Sequence, residues 1–533
     1  MASENNGGND HDVIVVGGGH NGLVASFYLA RSGLRVAVLE RRERVGGAAY
    51  TEELFPGYSV SSCSYVCWNL QQQVVDDLEL ERHGLVRHAI DPLPVLPFRD
   101  GQYLAFWEDE DRTREEIARI NPKDAERFGE WLELWERAAG LVHPFFLRQP
   151  PTMDEIREHA SEIGELPLFE RLQEASIAEL ASEYFEDQRV GAALMLICDI
   201  GDPFAPGSAW PEAWWHTNEP NGSVPSVVVG GMGGITQAMA RSAAERGVDI
   251  RTETEVERIL VDGSRATGVR LTDGKELFAP TIVSNADPKR TFLKLLAEED
   301  VEPSFRARIE GLSTKAACLK FHAVLDERLD LSPYLGPDHD PRYSTYVTLA
   351  PDGFETYRRA WQQSLAGEIP GQPVCHIQVP TAYDDSLTDG DGEIVSIWTL
   401  YAPSRPASGS WEDLREQTGE RLIDHVATFI PNFRSAMREW ELFTPLDIEE
   451  RVGITDGCIR HIDMVPGQLY GDRPLPGSGY STPIDGLWLC GVGTHPGGEV
   501  TGAPGHNAAH AILTALDRGA QRPGPRPEQL SDA

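Results

Sequence analysis

Basic residues and long apolar runs are both scarce in this chain, and each shortage disfavours certain classes of protein. Lysine and arginine total 47 against 84 aspartates and glutamates, which gives a formal net charge of −37 over 533 residues. Such a charge argues against nucleic acid and anionic membranes as main partners. No apolar run approaches the roughly 18–20 residues that cross a bilayer, so no transmembrane segment is predicted. Residues 1–10 contain no basic segment before an apolar stretch, so we expect no secretory signal and a cytoplasmic location.

Cysteines are few and scattered, which disfavours a disulfide framework. The chain has seven, an odd number, and Cys63 and Cys67 are four residues apart. No CxxC motif and no Cys/His cluster has the spacing of a zinc site. We therefore predict reduced thiols and no metal site.

The chain does contain a dinucleotide-binding pattern near its start. An apolar run over 13–16 leads into Gly17-Gly18-Gly19-His20-Asn21-Gly22, which is followed by helical spacing. A second apolar run over 36–39 then ends on Glu40. Strand, glycine turn, helix, strand and acid in this order are typical of a βαβ unit that binds a dinucleotide. The alternative is an ordinary βαβ turn without a ligand.

Each residue type in this pattern has a physical role. Gly17 allows the tight turn, Gly19 lets a pyrophosphate approach the backbone, and Gly22 lets the helix pack on the strand. The N–H groups at the helix start face the phosphates. Glu40 accepts a hydrogen bond from an adenosine ribose hydroxyl.

A second glycine pair, Gly46-Gly47, follows soon after Glu40. It would let the chain pass close to another part of the cofactor, and Arg42 could neutralise a phosphate or hold the ribose. A nicotinamide-binding domain does not need this segment. It therefore indicates FAD rather than NAD.

The middle of the chain predicts helices and then short strands. Segments 124–139 and 153–181 have helix-like spacing, and these helices could cover a site. The aromatic residues of these helices are Phe128, Trp131, Trp135 and Phe169. For most of them, packing in the helix core is the favoured interpretation. Beyond them, residues 255–286 predict short strands joined by tight turns.

A further glycine cluster, Gly230–Gly234, opens another helical stretch. It lacks the preceding parallel strand and the following acid of a dinucleotide fingerprint. We therefore predict one dinucleotide site.

Near the carboxy terminus an apolar strand over 487–493 runs into the loop 494–503, before a helix over 505–516. A helix start aimed at a flavin could stabilise negative charge on the ring. Gly497 and Gly498 would leave room for the ring system.

Together these segments resemble the FAD-dependent phytoene-desaturase-like superfamily, and most of all its pyridine nucleotide-disulfide oxidoreductase domain-containing subgroup. The matching segments occur in family order from about residue 12 to 518: Gly17–Gly22, Glu40–Ala49, Gly207–Ala209 with Trp215-His216, Gly230–Gly234, Val256–Ile259, Val283–Asp287, Pro380–Leu387, Leu446–Glu449, His461 with Gln468 and Arg473-Pro474, and Gly491–Gly498. Many relatives carry a glycine or small residue where this chain has Glu499.

The resemblance implies an α/β fold with an α+β substrate part: a Rossmann-like FAD-binding domain interleaved with a substrate domain that carries a helical lid. It implies noncovalent FAD. The expected cofactor-binding residues are Gly17, Gly19, His20, Asn21, Gly22, Glu40, Arg41, Arg42, Gly46, Gly47, Ala48, Val256, Ala286, Gly491, Glu499, Val500 and Thr501.

A globular composition and a length of 533 residues predict two domains. On the resemblance, the FAD-binding segments are 12–97, 225–295 and 441–518, the substrate-domain segments are 98–224 and 296–440, and flexible tails are expected at 1–11 and 519–533. A homodimer is compatible with the sequence.

The expected chemistry is hydride transfer from a small or hydrophobic organic substrate to flavin N5, as a desaturation or dehydrogenation. Oxygen, a quinone or another acceptor would then reoxidise the flavin. The alternatives are an amine oxidase, a carotenoid-type isomerase or saturase, and a flavin-bound scaffold without turnover. The candidate bases are His216, His461, His495 and Glu499, each of which could instead be structural.

Overall fold

The structure, a computed structural model, describes residues 11–195, 201–217, 220–350 and 352–519. Within these ranges its strands are β1 (Val13–Val16), β2 (Val36–Leu39), β3 (Thr51–Phe55), β4 (Tyr58–Ser61), β5 (Arg87–Ala89), β6 (Val95–Pro97), β7 (Tyr103–Ala105), β8 (Ser226–Val228), β9 (Asp249–Arg251), β10 (Val256–Asp262), β11 (Arg265–Leu271), β12 (Glu276–Phe278), β13 (Thr281–Ser284), β14 (Ala317–Leu325), β15 (Tyr346–Leu349), β16 (Val374–Gln378), β17 (Glu393–Ala402), β18 (Met437–Phe443) and β19 (Leu487–Leu489).

The α-helices of the same ranges are α1 (His20–Arg31), α2 (Gln72–Asp77), α3 (Glu110–Ile120), α4 (Pro122–Val142), α5 (Met153–Glu162), α6 (Leu166–Glu174), α7 (Ile177–Tyr184), α8 (Gln188–Ala193), α9 (Trp210–Trp215), α10 (Gly233–Glu245), α11 (Pro288–Arg290), α12 (Pro303–Glu310), α13 (Ser332–Leu335), α14 (Phe354–Leu365), α15 (Trp411–Ala427), α16 (Phe433–Ala436), α17 (Pro445–Val452) and α18 (Ala503–Gly519).

A five-stranded parallel sheet carries the predicted βαβ unit. Its strand order is β19-β13-β1-β2-β9, and each neighbouring pair is parallel. All four residues of β1 and of β2 are buried, as expected for strands covered on both faces. The predicted α/β fold with a Rossmann-like parallel sheet is thereby confirmed.

Alternation along β1 explains how this sheet is covered. Val13 and Val15 pack with α1, α10 and α18 on one face. Ile14 and Val16 pack on the opposite face with the antiparallel sheet β10-β11-β12 and with α12. The start of α1 therefore lies at the carboxyl end of β1, between two well-packed layers.

A second, seven-stranded sheet has the order β18-β14-β17-β16-β15-β6-β7, in which only the β6–β15 pair is parallel. Odd-numbered residues of β14, such as Phe321, pack with α15 in one core. The even-numbered Lys320 and His322 face the other way, toward the chain at 62–65, because Lys320 Nζ lies over the Tyr65 ring and His322 contacts the Ser62 carbonyl.

The predicted helical region is present as α3 to α9. The predicted stretch 153–181 is divided into three helices, since Glu165 and Ser176 begin new ones. The aromatic side chains of the region are core residues, as favoured: Phe128, Trp131, Trp135 and Phe169 are all buried.

The proposed domain division remains a prediction, but two strands bear on its boundaries. β6 belongs to the seven-stranded sheet although the boundary at 97/98 assigns it to the FAD-binding part, and β18 crosses the boundary at 440/441. Pairing of β6 with β15 and of β18 with β14 is a long-range effect that local composition does not report.

In the described part of the chain, no helix has the length and apolar character needed to cross a membrane. The six cysteines found there are free thiols: Cys63, Cys67, Cys318, Cys375, Cys458 and Cys490. Cys198 lies outside the described residues.

Candidate functional site

The glycine turn after β1 has the geometry of a phosphate-binding helix start. A Cβ added at Gly22 would lie 2.3 Å from the Gly17 carbonyl oxygen, so only glycine lets α1 pack this close to the turn. Gly19 is the N-cap of α1, no side chain caps the helix, and no acidic residue stands in its first turn. The helix start thus presents backbone donors suited to an anion.

Glu40 is buried at the end of β2 and is held by two backbone donors. Its Oε2 accepts from the Gly18 N–H at 2.9 Å and its Oε1 from the Arg42 N–H at 2.9 Å. Each carboxylate oxygen has a second lone pair, so Glu40 can still accept from ribose hydroxyls. Its position next to the start of α1 fits the predicted role.

A cleft opens at this helix start. Residues of the parallel sheet, the segment 63–68, strand β17 and the carboxy-terminal loop line this cleft. Thirteen of the predicted site residues line it: Gly17, Gly19, His20, Asn21, Glu40, Arg41, Gly47, Ala48, Val256, Ala286, His461, Glu499 and Val500.

The other predicted cofactor residues are not among the lining residues: Gly22, described above, Arg42, Gly46, Gly491 and Thr501. Arg42 donates to the Gly47 carbonyl at 2.5 Å and lies 4.0 Å from the Tyr50 ring centroid. Gly46 pairs with the backbone around Gly19. The remaining two are Gly491, against the His461 ring, and Thr501, whose hydroxyl accepts from the Ala503 N–H.

The loop 494–503 meets the cleft through Glu499 and Val500. Its two glycines have a different role from the expected one. A Cβ at Gly498 would lie 2.3 Å from Arg460 Cδ, and one at Gly497 would lie 2.9 Å from Met464 Cε. These glycines make room for protein side chains, which corrects the expectation of space for a ring. Arg460 in turn forms an ion pair with Glu499 at 2.7 Å.

His20 and His461 are neutral ring systems at the cleft. Burial lowers the pKa of His20 to about 4, and burial together with the nearby charge of Arg473 lowers that of His461 to about 3. His20 Nε2 and His461 Nδ1 are buried without a hydrogen-bond partner among the described residues. Both can bond to a ligand, but neither holds a proton near pH 7.

His216 and His495 do not line the cleft. The His216 ring stacks on Trp135 at 5.6 Å, and its Nε2 lies 3.4 Å from Glu212 Oε1. His495 is buried, its Nε2 is 2.9 Å from the Phe145 carbonyl oxygen, and burial lowers its pKa to about 4. The structure therefore brings only two of the four candidate bases, His461 and Glu499, to the cleft.

Aromatic side chains form the part of the cleft between the segment 63–68 and β17. Tyr65, Trp68 and Trp398 line it, and the Tyr65 and Trp398 ring centroids are 5.2 Å apart. Trp68 also contacts Trp215 of α9, at 5.1 Å. The helical region thus reaches the aromatic part of the cleft through Trp215.

Lys320 is a residue that the sequence analysis missed. It is 2% exposed, its Nζ lies 4.1 Å from the Tyr65 ring centroid, and no hydrogen-bond partner for Nζ is found among the described residues. Burial lowers its pKa to about 7, against smaller opposing effects of Cys63 and Cys318. A lysine within the largely apolar β14 was the signal in the sequence.

With this geometry in place, comparison with known proteins identifies the class. The chain belongs to the family described as flavin containing amine oxidoreductase, whose model matches residues 22–360. It is therefore an FAD-dependent oxidoreductase.

Curated relatives narrow the comparison and confirm the predicted resemblance. The chain is 32% identical to mouse pyridine nucleotide-disulfide oxidoreductase domain-containing protein 2, over 95% of this chain and 94% of the relative. It is 28% identical to a component of the limonene dehydrogenase of Castellaniella defragrans, over 94% of each chain. It is 24% identical to the lycopene-forming phytoene desaturase of Pantoea ananas, over 94% of this chain and 99% of the relative.

A solved structure of a putrescine oxidase variant matches the fold. It has a TM-score of 0.61 at 16% identity, over 96% of this chain and 99% of that one. At this identity the likeness speaks for the fold alone.

Proposed function

We propose that FAD lies in the cleft and that the protein dehydrogenates a neutral, largely hydrophobic substrate at a carbon–carbon bond. The observation that carries the choice of substrate is the aromatic wall of Tyr65, Trp68 and Trp398. When bound, FAD would itself accept the hydride from the substrate.

The residues fit FAD in the order that the cleft presents them. The uncapped start of α1 would hold the pyrophosphate, and Glu40 would accept from the adenosine ribose. Val256 would contact the adenine, because Glu40 and the chain at 254 are joined by a 2.8 Å backbone hydrogen bond. The unpartnered nitrogens of His20 and His461 give the cofactor further polar contacts.

The carboxylates of the cleft favour an uncharged substrate. Asp287 accepts from the backbone N–H groups of Arg290 and Thr455, and Glu499 is paired with Arg460. Glu40 and Glu255 lie at the end predicted for adenosine. The described lining contains no further carboxylate. A protonated amine would lose its hydration there without gaining an anionic partner.

The chain's own residues would orient the substrate and exclude water. Aromatic faces bury an apolar substrate, and the helical region adds Trp215 behind Trp68. A carbon–carbon desaturation also releases a proton. Lys320, with a pKa of about 7, is better matched to accept this proton than His461, with a pKa of about 3. The Lys320 amine lies over the Tyr65 ring.

One relative supports this substrate class. It is named for limonene, a hydrocarbon without ionisable groups, and aligns over 94% of both chains. Removal of two hydrogens from such a substrate would leave reduced flavin, which oxygen, a quinone or another acceptor would reoxidise.

Anaerobic flavin bleaching tests the proposal. The purified holoenzyme would be mixed with terpenes and other alkenes in one series and with primary and secondary amines in another. We expect bleaching by members of the first series only. Bleaching by amines, with release of ammonia or an aldehyde, would indicate an amine oxidase. Binding of FAD without bleaching by any compound in either series would favour the scaffold.

A further inference from the structure

A buried ion pair stands where the carboxy-terminal loop meets the cleft. Glu499 Oε1 is 2.7 Å from Arg460 Nη2, and the side chains are 15% and 1% exposed. Asn69 Nδ2 donates to Glu499 Oε2 at 2.7 Å. Glu499 has a φ of 76°, in the left-handed region that glycine adopts more easily. The chain thus keeps a strained glutamate at the cleft.

The position of Arg460 is fixed from two sides. Its stem passes so close to Gly498 that a Cβ there would be 2.3 Å away. The Arg460 carbonyl oxygen accepts a hydrogen bond from Arg473 Nη2 at 2.6 Å. Arg473 is itself buried and also donates to the carbonyl oxygen of Val492, just after β19. The guanidinium is therefore held against Glu499 by the fold.

The charge of Glu499 bears on the helix start. The Glu499 backbone acts on the pKa of His20, the first residue of α1, so residue 499 lies beside the first turn of that helix. An unpaired carboxylate so near would repel an anionic dinucleotide, whereas a guanidinium at 2.7 Å cancels most of that field.

We propose that Arg460 is a positioning residue for cofactor binding: it holds Glu499 in the loop and neutralises its carboxylate toward the anionic part of FAD. This inference rests on the proposed location of FAD in the cleft. It predicts that the two charges act on FAD affinity with opposite signs.

The experiment measures FAD dissociation constants for the wild type, Glu499→Gln, Arg460→Gln and the double variant. We expect Arg460→Gln to weaken binding on the order of tenfold, because a bare carboxylate remains. Glu499→Gln should tighten binding, and the double variant should return close to the wild type. Glu186→Gln is the matched control, since Glu186 pairs with Lys123 on the surface.

Other outcomes overturn the proposal. Equal weakening in all three variants would show a purely structural pair, and unchanged affinity would show that the charge does not reach FAD. If Arg460→Gln does not fold, Glu499→Gln decides alone: tighter binding supports the proposal, and weaker or unchanged binding overturns it. Glu40→Ala separates the two proposals, because unchanged FAD affinity in that variant would instead overturn the location of FAD.

Discussion

Two glycine-rich helix starts in this molecule look alike in sequence but differ in what surrounds their backbone donors. At α1 no side chain caps the first turn, and the turn opens into the cleft. At α10 the donors are already used: Gly230 N–H bonds to Asp384, Met232 N–H to Ser61, and Gly233 N–H to Thr51. Only the first start has donors to offer a phosphate.

The difference shows what makes a glycine turn a ligand site. Glycine at α10 allows close packing on the β3–β4 hairpin, since a Cβ at Gly231 would lie 2.5 Å from Thr51 Oγ1. Glycine at α1 allows close packing too, but leaves the helix end free. The backbone shape is shared, and satisfaction of the donors by protein separates the two roles.

The sharpest test of this comparison replaces one glycine at each start. Gly19→Val should abolish measurable FAD binding, because the side chain occupies the approach to α1; the fold should survive, since the nearest atom is the movable Asn285 Nδ2 at 2.7 Å. Gly231→Ala should cost about 1–3 kcal/mol of unfolding free energy and leave FAD affinity unchanged. FAD titration and urea unfolding measure both. Equal loss of FAD binding in the two variants would contradict the contrast.

Lys320, whose Nζ lies over the ring of Tyr65 in the cleft wall, is a buried polar group of another kind, because burial itself carries a free-energy cost. The difference between its pKa of about 7 and the ordinary 10.5 corresponds to about 4–5 kcal/mol. The unfolded chain binds more protons between these values, so stability falls as pH drops from about 10.5 to about 7, and the full cost is present below about 7.

Lys320→Met should therefore stabilise the protein, by up to about 4–5 kcal/mol near pH 6 and by less near pH 9. Urea unfolding at both pH values measures the gain, and the exposed Lys123→Met serves as the control. A gain independent of pH would mean that Lys320 is not buried as a free amine. Slower flavin reduction in the stabilised variant would support its role as proton acceptor.

Acidic partners provide a smaller test at each start. Glu40→Ala should weaken FAD binding by about 1–3 kcal/mol, because a buried ribose hydroxyl loses its acceptor. Asp384→Ala removes the acceptor for Gly230 N–H at 2.7 Å and should lower stability by about 1–2 kcal/mol without changing FAD affinity. Isothermal titration and urea unfolding separate the two effects. Unchanged affinity in Glu40→Ala would remove this residue from the site.

The sequence predicted the α1 start well because its signals are local: strand, turn, helix and acid lie within 30 residues. The sequence analysis did not single out Lys320 and Arg460, because their roles depend on contacts with residues far away in the chain. These are Tyr65 for Lys320 and Glu499 for Arg460. His216 and His495 lie in matching motifs, yet a motif does not tell which way a side chain faces. The sequence also could not assign β6 to the seven-stranded sheet, because its partner strand β15 is about 250 residues away.

For the reduction of the flavin by NADPH we expect no effect at all. If α10 offers no donors to a second dinucleotide, NADPH should not reduce the flavin efficiently. Anaerobic mixing of the holoenzyme with micromolar NADPH should leave the flavin absorbance unchanged, whereas dithionite should bleach it. Rapid bleaching would show a nicotinamide site that the glycine patterns do not mark. Repeating the test in Asp384→Ala asks whether freeing the Gly230 N–H creates such a site. We expect no bleaching there either, because Thr51 and Ser61 still occupy the neighbouring donors.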